Sequence, residues 1–173
     1  MNKEQIAQLI DISAVRADST WSEIEQIMEA TKQYPFICVF TMPSMIERIR
    51  KEVKSLPKTG LGGIVGFPSG GDTTSMKVNQ AKELVATGCD EVDMVMNIGK
   101  LKSGFDQEVK SDILAVKEAV APLPLKVIIE VCLLNDEEIT RASKIVRDCG
   151  VAVLKTGTGW AGATTMHHID VIK

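Results

Sequence analysis

The residue of this sequence best placed for chemistry is Lys155. It ends the apolar run Gly150-Val151-Ala152-Val153-Leu154 and opens the Thr/Gly-rich stretch Thr156-Gly157-Thr158-Gly159-Trp160. The run is too short for a helix of its own and reads as a buried parallel strand with its loop. That reading puts the lysine at the strand's C-terminal end, where the chemistry of an α/β barrel is gathered. Desolvation among apolar neighbours disfavours the charged form of an amine, so Lys155 is a candidate nucleophile. The competing reading is an ordinary rim charge.

Other groups that catch the eye carry less. His167-His168 are adjacent on what reads as a helix, so they point to different sides and make no metal site by themselves. Cys38, Cys89, Cys132 and Cys149 are widely spaced with no C-x-x-C pair, which argues against a zinc site or a disulfide framework and fits a reducing, cytoplasmic setting. The methionines on several helices read as core filler. A net charge of −3 and a pI near 5.5 give no footing for nucleic acid or an anionic membrane surface. No apolar stretch reaches transmembrane length, and MNKEQIAQLI lacks the apolar centre of a secretory signal.

The elements that must position Lys155 can be read in order. Met1 to Ile10 suggests a short amphipathic helix, and Ile12 to Val15 a weak strand preceded by Asp11. Thr20 with Glu23 makes a capping-box pattern, after which Trp21, Ile24, Ile27 and Met28 recur at helical spacing. Phe36 to Phe40 is a buried-strand run, and Pro43 suits the first turn of a helix carrying Ile46, Ile49 and Val53. A strand is expected from Leu61 to Phe67, then a helix from about Thr74 to a Gly88 cap. Glu91 to Met96 reads as a strand, Gly99 to Gly104 as a loop, and Phe105 to about Val120 as a helix. Leu125 to Val131 is the next strand, Asn135 with Glu138 starts a helix that Gly150 ends, and Thr164 or Thr165 caps a final one. Alternation of this kind predicts βαβ units and a parallel sheet. The count is about six units, two short of a (β/α)8 barrel, which usually takes about 250 residues. An open doubly wound sheet fits the 173 residues better, yet no G-x-G-x-x-G turn follows the first strands.

A set of blocks then narrows the reading. They are Gly66-Phe67-Pro68 with Thr73-Thr74, Glu91-Val92-Asp93-Met94-Val95-Met96-Asn97-Ile98-Gly99 with Leu101-Lys102-Ser103-Gly104, and Leu125 to Glu130 with Cys132-Leu133-Leu134. Leu154-Lys155-Thr156-Gly157-Thr158-Gly159 and Gly162-Ala163-Thr164 complete the series. In this order, from Asp11 onward, the chain resembles the deoxyribose-phosphate aldolases, class I aldolases on a TIM barrel. The resemblance implies an α/β fold of the TIM (β/α)8-barrel type, here an incomplete barrel of about six βα units forming one domain over residues 1–173.

By that resemblance Lys155 forms an imine with a substrate carbonyl, and Asp93 handles protons with a bound water. Lys126 is a family lysine inside the barrel that could raise the local positive potential and lower the amine's pKa. The residues themselves also allow Asp93 to be an inward carboxylate satisfied by a barrel lysine, and Lys126 to be a core lysine paired with Asp93 or Glu130. Asp11 and Cys38 match residues near the substrate, though Cys38 also reads as a small buried hydrophobe. Thr156, Thr158 and Gly159 match a turn whose N–H and hydroxyl groups could bind polar substrate atoms; such a turn is often merely a turn. The implied chemistry is metal-free and needs no cofactor.

The match also has departures. The family usually has serine for Gly157 and often phenylalanine for Trp160; Asp11-Ile12-Ser13 replaces the usual Asp-His-Thr, and Thr41 stands where asparagine is common. The sequence stops at Lys173, before the family's last two strands, which bring a second lysine and a phosphate pocket. It is therefore expected to be a fragment of a longer product or to close by pairing with another chain, the fragment being favoured. The expected activity is reversible cleavage of 2-deoxy-D-ribose 5-phosphate to D-glyceraldehyde 3-phosphate and acetaldehyde, by a cytoplasmic homo-oligomer with no nucleic-acid or membrane partner. The alternatives are an inactive, self-associating barrel fragment and a Schiff-base aldolase with another small sugar-phosphate substrate.

Overall fold

A computed structural model describes all residues, 1–173. Six parallel strands lie side by side in chain order: β1 (Asp11–Ala14), β2 (Cys38–Thr41), β3 (Gly60–Val65), β4 (Glu91–Val95), β5 (Leu125–Ile128) and β6 (Val153–Lys155). Between them run α2 (Trp21–Gln33), α3 (Pro43–Ser55), α4 (Thr74–Thr87), α5 (Ile98–Lys102) with α6 (Asp106–Val120), and α7 (Asp136–Asp148). A first helix, α1 (Lys3–Ala7), precedes β1, and α8 (Met166–Ile172) follows β6. This is a six-unit half-barrel, with β1 and β6 as its edges.

Local chemistry sets the helix ends. The side chains of Thr20, Thr73, Asn135 and Thr165 each accept a bond from the backbone N–H three residues on, and Asn135 with Glu138 closes a full capping box. Pro43 opens α3, and Gly88 ends α4 in the left-handed region.

Period-two alternation divides each strand between two faces. Val39, Leu61, Val65, Val92, Met94, Leu125 and Val127 turn outward and pack with Ile24, Ile49, Leu84, Ile113, Val116 and Ile139 of the helices in one buried cluster. The other face is concave and holds Asp11, Phe40, Ile64, Asp93, Lys126, Ile128 and Lys155. The outer layer contains one buried ion pair: Lys77 of α4 donates to Asp112 of α6 at 2.6 Å and to the carbonyl of Val95 at 3.1 Å, while Thr74 donates to the other Asp112 oxygen at 2.8 Å. Both side chains are almost fully buried.

Three expectations need correction. The Gly99–Gly104 stretch is not simply a loop: Asn97 caps Lys100, and Ile98–Lys102 forms one short helix. A helix this short shows no periodicity for a sequence reading to detect. The second strand begins at Cys38, two residues later than expected, because its ladder starts only at the Asp11–Cys38 pairing. The fifth ends at Ile128, since Glu130 turns left-handed (φ 54°, ψ 62°) into a 3-10 turn at Val131–Leu133. No helix is long and apolar enough to cross a membrane.

Candidate functional site

The concave face closes around a cavity of about 90 Å³ lined by residues from all six strands or the loops that leave them, including Asp11, Phe40, Asp93, Lys155, Gly157 and Thr158. Register puts the polar groups at neighbouring heights. Asp93 pairs with Lys126 across β4 and β5, and Ile128 pairs with Lys155 across β5 and β6. The side chains then meet across the curve of the sheet. Lys155 Nζ lies 2.5 Å from Asp93 Oδ2 and 3.1 Å from Asp11 Oδ2. Lys126 Nζ lies 2.9 Å from the same Asp11 oxygen and 2.5 Å from Glu91 Oε1. Asp11 therefore bridges the two amines.

Phe40 forms the apolar floor, its ring centroid 5.0 Å from Lys155 Nζ and 5.8 Å from Lys126 Nζ. The ring fits because the neighbouring position on β3 is Gly62, where a Cβ would stand 2.3 Å from it. Any larger residue at 62 would push Phe40 into the amines.

Burial and charge oppose each other here. Burial pushes the Lys155 amine down, but Asp93 and Asp11 outweigh it and the net shift is upward. Lys126 behaves the same way, with Glu91 and Asp11 overcoming burial. The net shift of Lys155 is thus upward rather than the lowering expected from Lys126, which pairs with Glu91 and Asp11, and both amines are ammonium ions at neutral pH. Burial raises the Asp93 carboxyl to about 6 even though Lys155 pulls it down. Asp93 consequently changes protonation closer to neutrality than an ordinary carboxylate does. The outer oxygens Asp11 Oδ1 and Asp93 Oδ1 have no hydrogen-bond partner within the protein. They are the free acceptors of two cavity-lining side chains.

The remaining expected residues divide. Lys126 does not line the cavity; it lies one layer below and pairs with Asp11 and Glu91 instead of Asp93 or Glu130. Cys38 is also outside the cavity wall, 1% exposed beside Phe40 and Ile64, with its thiol pushed up by burial and by Glu91 and Asp11. That is the small-hydrophobe alternative. Thr158 does line the cavity, but both its donors are committed: its N–H and its hydroxyl donate to Glu130 Oε2. It can offer a ligand only acceptor lone pairs, which corrects the expectation that its N–H and hydroxyl bind polar substrate atoms. Thr156 accepts from Thr164, and Gly159 sits in the turn behind. His167 faces Asp136 at 2.9 Å on the exposed surface and does not line the cavity. Glu91, Phe40 and Glu130 were missed as site-forming residues. For Glu91, alternation along Glu91-Val92-Asp93 was the available signal, since it places residues 91 and 93 on one face.

A larger cleft of about 340 Å³ runs between α3 and α4 past Met42, Ile46 and Leu84. It presents Glu47 and Glu83 and no amine, so the chemistry belongs to the smaller, interior cavity.

A cavity at the open end of a parallel half-barrel, with an ammonium between two carboxylates, defines an α/β-barrel site suited to amine–carbonyl chemistry. Comparison with known proteins agrees. The sequence profile of the DeoC/LacD family aldolase matches residues 6–173. A deoxyribose-phosphate aldolase of Sinorhizobium medicae is 47% identical over 168 residues, spanning 96% of this chain and 68% of that protein. One from Klebsiella pneumoniae is 42% identical over 167 residues, spanning 92% and 66%. In fold, the chain superposes on a tetrameric deoxyribose phosphate aldolase of Aeropyrum pernix with a TM-score of 0.83 over 99% of this chain and 72% of that one, at 22% identity. This chain belongs to the DeoC/LacD family of aldolases. It spans about two thirds of the length of the curated relatives it matches.

Proposed function

We propose that this protein is a class I aldolase of the deoxyribose-phosphate type, cleaving 2-deoxy-D-ribose 5-phosphate reversibly to D-glyceraldehyde 3-phosphate and acetaldehyde. The observation that carries the reading is the Lys155 amine at the end of β6, 2.5 Å from a carboxyl whose pKa is about 6.

Lys155 must shed a proton before it attacks, and Asp93 is the acceptor at hydrogen-bond distance. The free amine adds to the aldehyde carbon of the open-chain sugar. Return of the proton to the resulting hydroxyl expels water and leaves a protonated imine. This imine draws electrons from the bond between the second and third carbons. As that bond breaks, the hydroxyl on the third carbon loses its proton and becomes the aldehyde of glyceraldehyde 3-phosphate. The enamine left on Lys155 takes a proton at its terminal carbon, and water then releases acetaldehyde and the amine. Asp93 and Asp11 hold the ammonium between turnovers, and Phe40 presents an apolar face to the two-carbon unit.

Borohydride reduction in the presence of acetaldehyde or the sugar phosphate, followed by intact mass and peptide mapping, tests this. A single adduct on Lys155, lost in Lys155→Ala, is expected. A folded protein with no adduct, or one labelled elsewhere, overturns it.

The domain is proposed to be residues 1–173, acting in the cytoplasm as a homo-oligomer. The tetrameric assembly of the Aeropyrum pernix deoxyribose phosphate aldolase, whose fold this chain shares, supports association. Sedimentation across a concentration series tests it. Concentration-dependent scattering without turnover would instead favour the inactive, self-associating alternative.

A further inference from the structure

Glu130 is the one non-glycine residue with a positive φ, it is 2% exposed, and its Oε1 has no partner in the protein. A left-handed glutamate in the interior is held there by its surroundings. Those surroundings are the turn that follows Lys155. On one side of the kink Ile129 N–H donates to the Lys155 carbonyl at 3.0 Å, and on the other Val131 N–H donates to the Thr156 carbonyl at 2.8 Å. Between them the Glu130 carboxylate reaches across and takes both donors of Thr158. Thr158 Oγ1 in turn accepts from Trp160 N–H at 3.0 Å, and the Trp160 indole donates to the Val15 carbonyl at 3.0 Å. Oε1 lies 2.7 Å from the place a Cβ at Gly157 would occupy.

We infer that Glu130 is a positioning residue for Lys155: its carboxylate clamps the Gly157–Thr158 wall of the cavity. The inference rests on Lys155 being the nucleophile. Two backbone bonds and two side-chain bonds hold Lys155, Thr156 and Thr158, three of the four residues from the amine to the cavity wall. Releasing the side-chain pair leaves the strand end attached but lets the wall and the amine drift together. A displacement of about 1 Å at a reacting group lowers rates by up to about 100-fold.

The test uses Glu130→Ala, Glu130→Gln, Thr158→Val and Gly157→Ala in the full chain, each checked for folding by circular dichroism. Glu130→Ala is expected to slow borohydride trapping at Lys155 and kcat by about 10- to 100-fold, with a smaller change in KM. Glu130→Gln, whose amide oxygen still accepts from Thr158, should stay within about threefold. Thr158→Val keeps the backbone kink intact, so it reads the clamp even if Glu130→Ala fails to fold. It should slow trapping in the same direction, and Gly157→Ala should do likewise by displacing the carboxylate. A second readout is independent of activity: in a Trp21→Phe background, acrylamide should quench Trp160 more strongly in Glu130→Ala and Thr158→Val than in the parent. Unchanged quenching and trapping in folded Glu130→Ala or Thr158→Val overturns the inference. So does a loss of thermal stability with kcat per folded molecule unchanged. Absence of any Lys155 adduct in the parent would overturn the proposed function instead, while the quenching result still decides the clamp.

Discussion

Lys77 and Lys155 invite comparison, because each touches an aspartate and each lies in the fold where charge is expensive. Lys77 sits between α4 and α6 with 0% of its side chain exposed, and every oxygen of its partner Asp112 has a donor. Neither side chain lines the interior cavity or the clefts of about 340 and 350 Å³. Lys155 is 28% exposed, its partners Asp93 and Asp11 each keep one unpaired buried oxygen, and all three line a cavity. A saturated pair can only hold two helices together. An unsaturated one retains acceptor capacity, and its groups can exchange protons with whatever enters. Residual hydrogen-bonding capacity, more than burial, separates the two amines here and is what suits Lys155 to the proposed role.

The comparison can be broken most sharply at Lys155. Replacing it with alanine should reduce aldol turnover to background and remove the borohydride adduct while the fold persists; turnover in that variant would dissolve the distinction. Asp93→Asn comes next, lowering kcat by about 10²–10⁴ as proton transfer is lost, which single-turnover kinetics would show. Lys77→Met should do the opposite in kind. It leaves Asp112 buried and unpaired, so about 3–5 kcal/mol of stability is lost in urea titrations, with kcat per folded molecule unchanged. Adding Asp112→Leu should restore most of that loss.

A pH profile sharpens the contrast further. Burial raises Asp93 to about 6, so the folded chain binds this proton more tightly than the unfolded chain does. The group's contribution to stability is complete below its ordinary value near 3.8 and is lost as pH rises through about 6. Activity should move the other way, gaining an acid limb with a midpoint near 6 that Asp93→Asn abolishes. At the small end, His167→Ala should change stability by less than about 0.5 kcal/mol, because its pairing with Asp136 is exposed, and should leave kcat as it was.

Much of this architecture was legible in the sequence. The strand ending in Lys155, the caps at Thr20 and Asn135, the Gly88 stop and the six-unit count all follow from local pattern, which short-range physics sets. What escaped was set by distance. Asp11 and Lys155 are 144 residues apart, so no window of sequence shows that one carboxylate bridges two amines. Lys126 was read as a positive charge acting on Lys155, when the curve of the sheet gives it Glu91 and Asp11 as partners. Thr158 looked like a donor to substrate because Glu130 looked like the end of a strand. Its left-handed turn is invisible to residue preferences that favour glycine at such a position.

The bond from the Trp160 indole to the Val15 carbonyl joins residues 145 apart, and with the Asp11–Lys155 contact it ties the first strand to the last. Each pair of neighbouring strands in this sheet is joined by one crossover, so the half-barrel can assemble step by step along the chain. The contacts between first and last strands carry the largest loop-closure entropy and are expected to form last during refolding. The reactive centre would then be absent from every partly assembled species, and the Lys155 adduct would report completed molecules alone. Trapping at intervals during refolding should lag the recovery of helical ellipticity; simultaneous recovery would place the closure early.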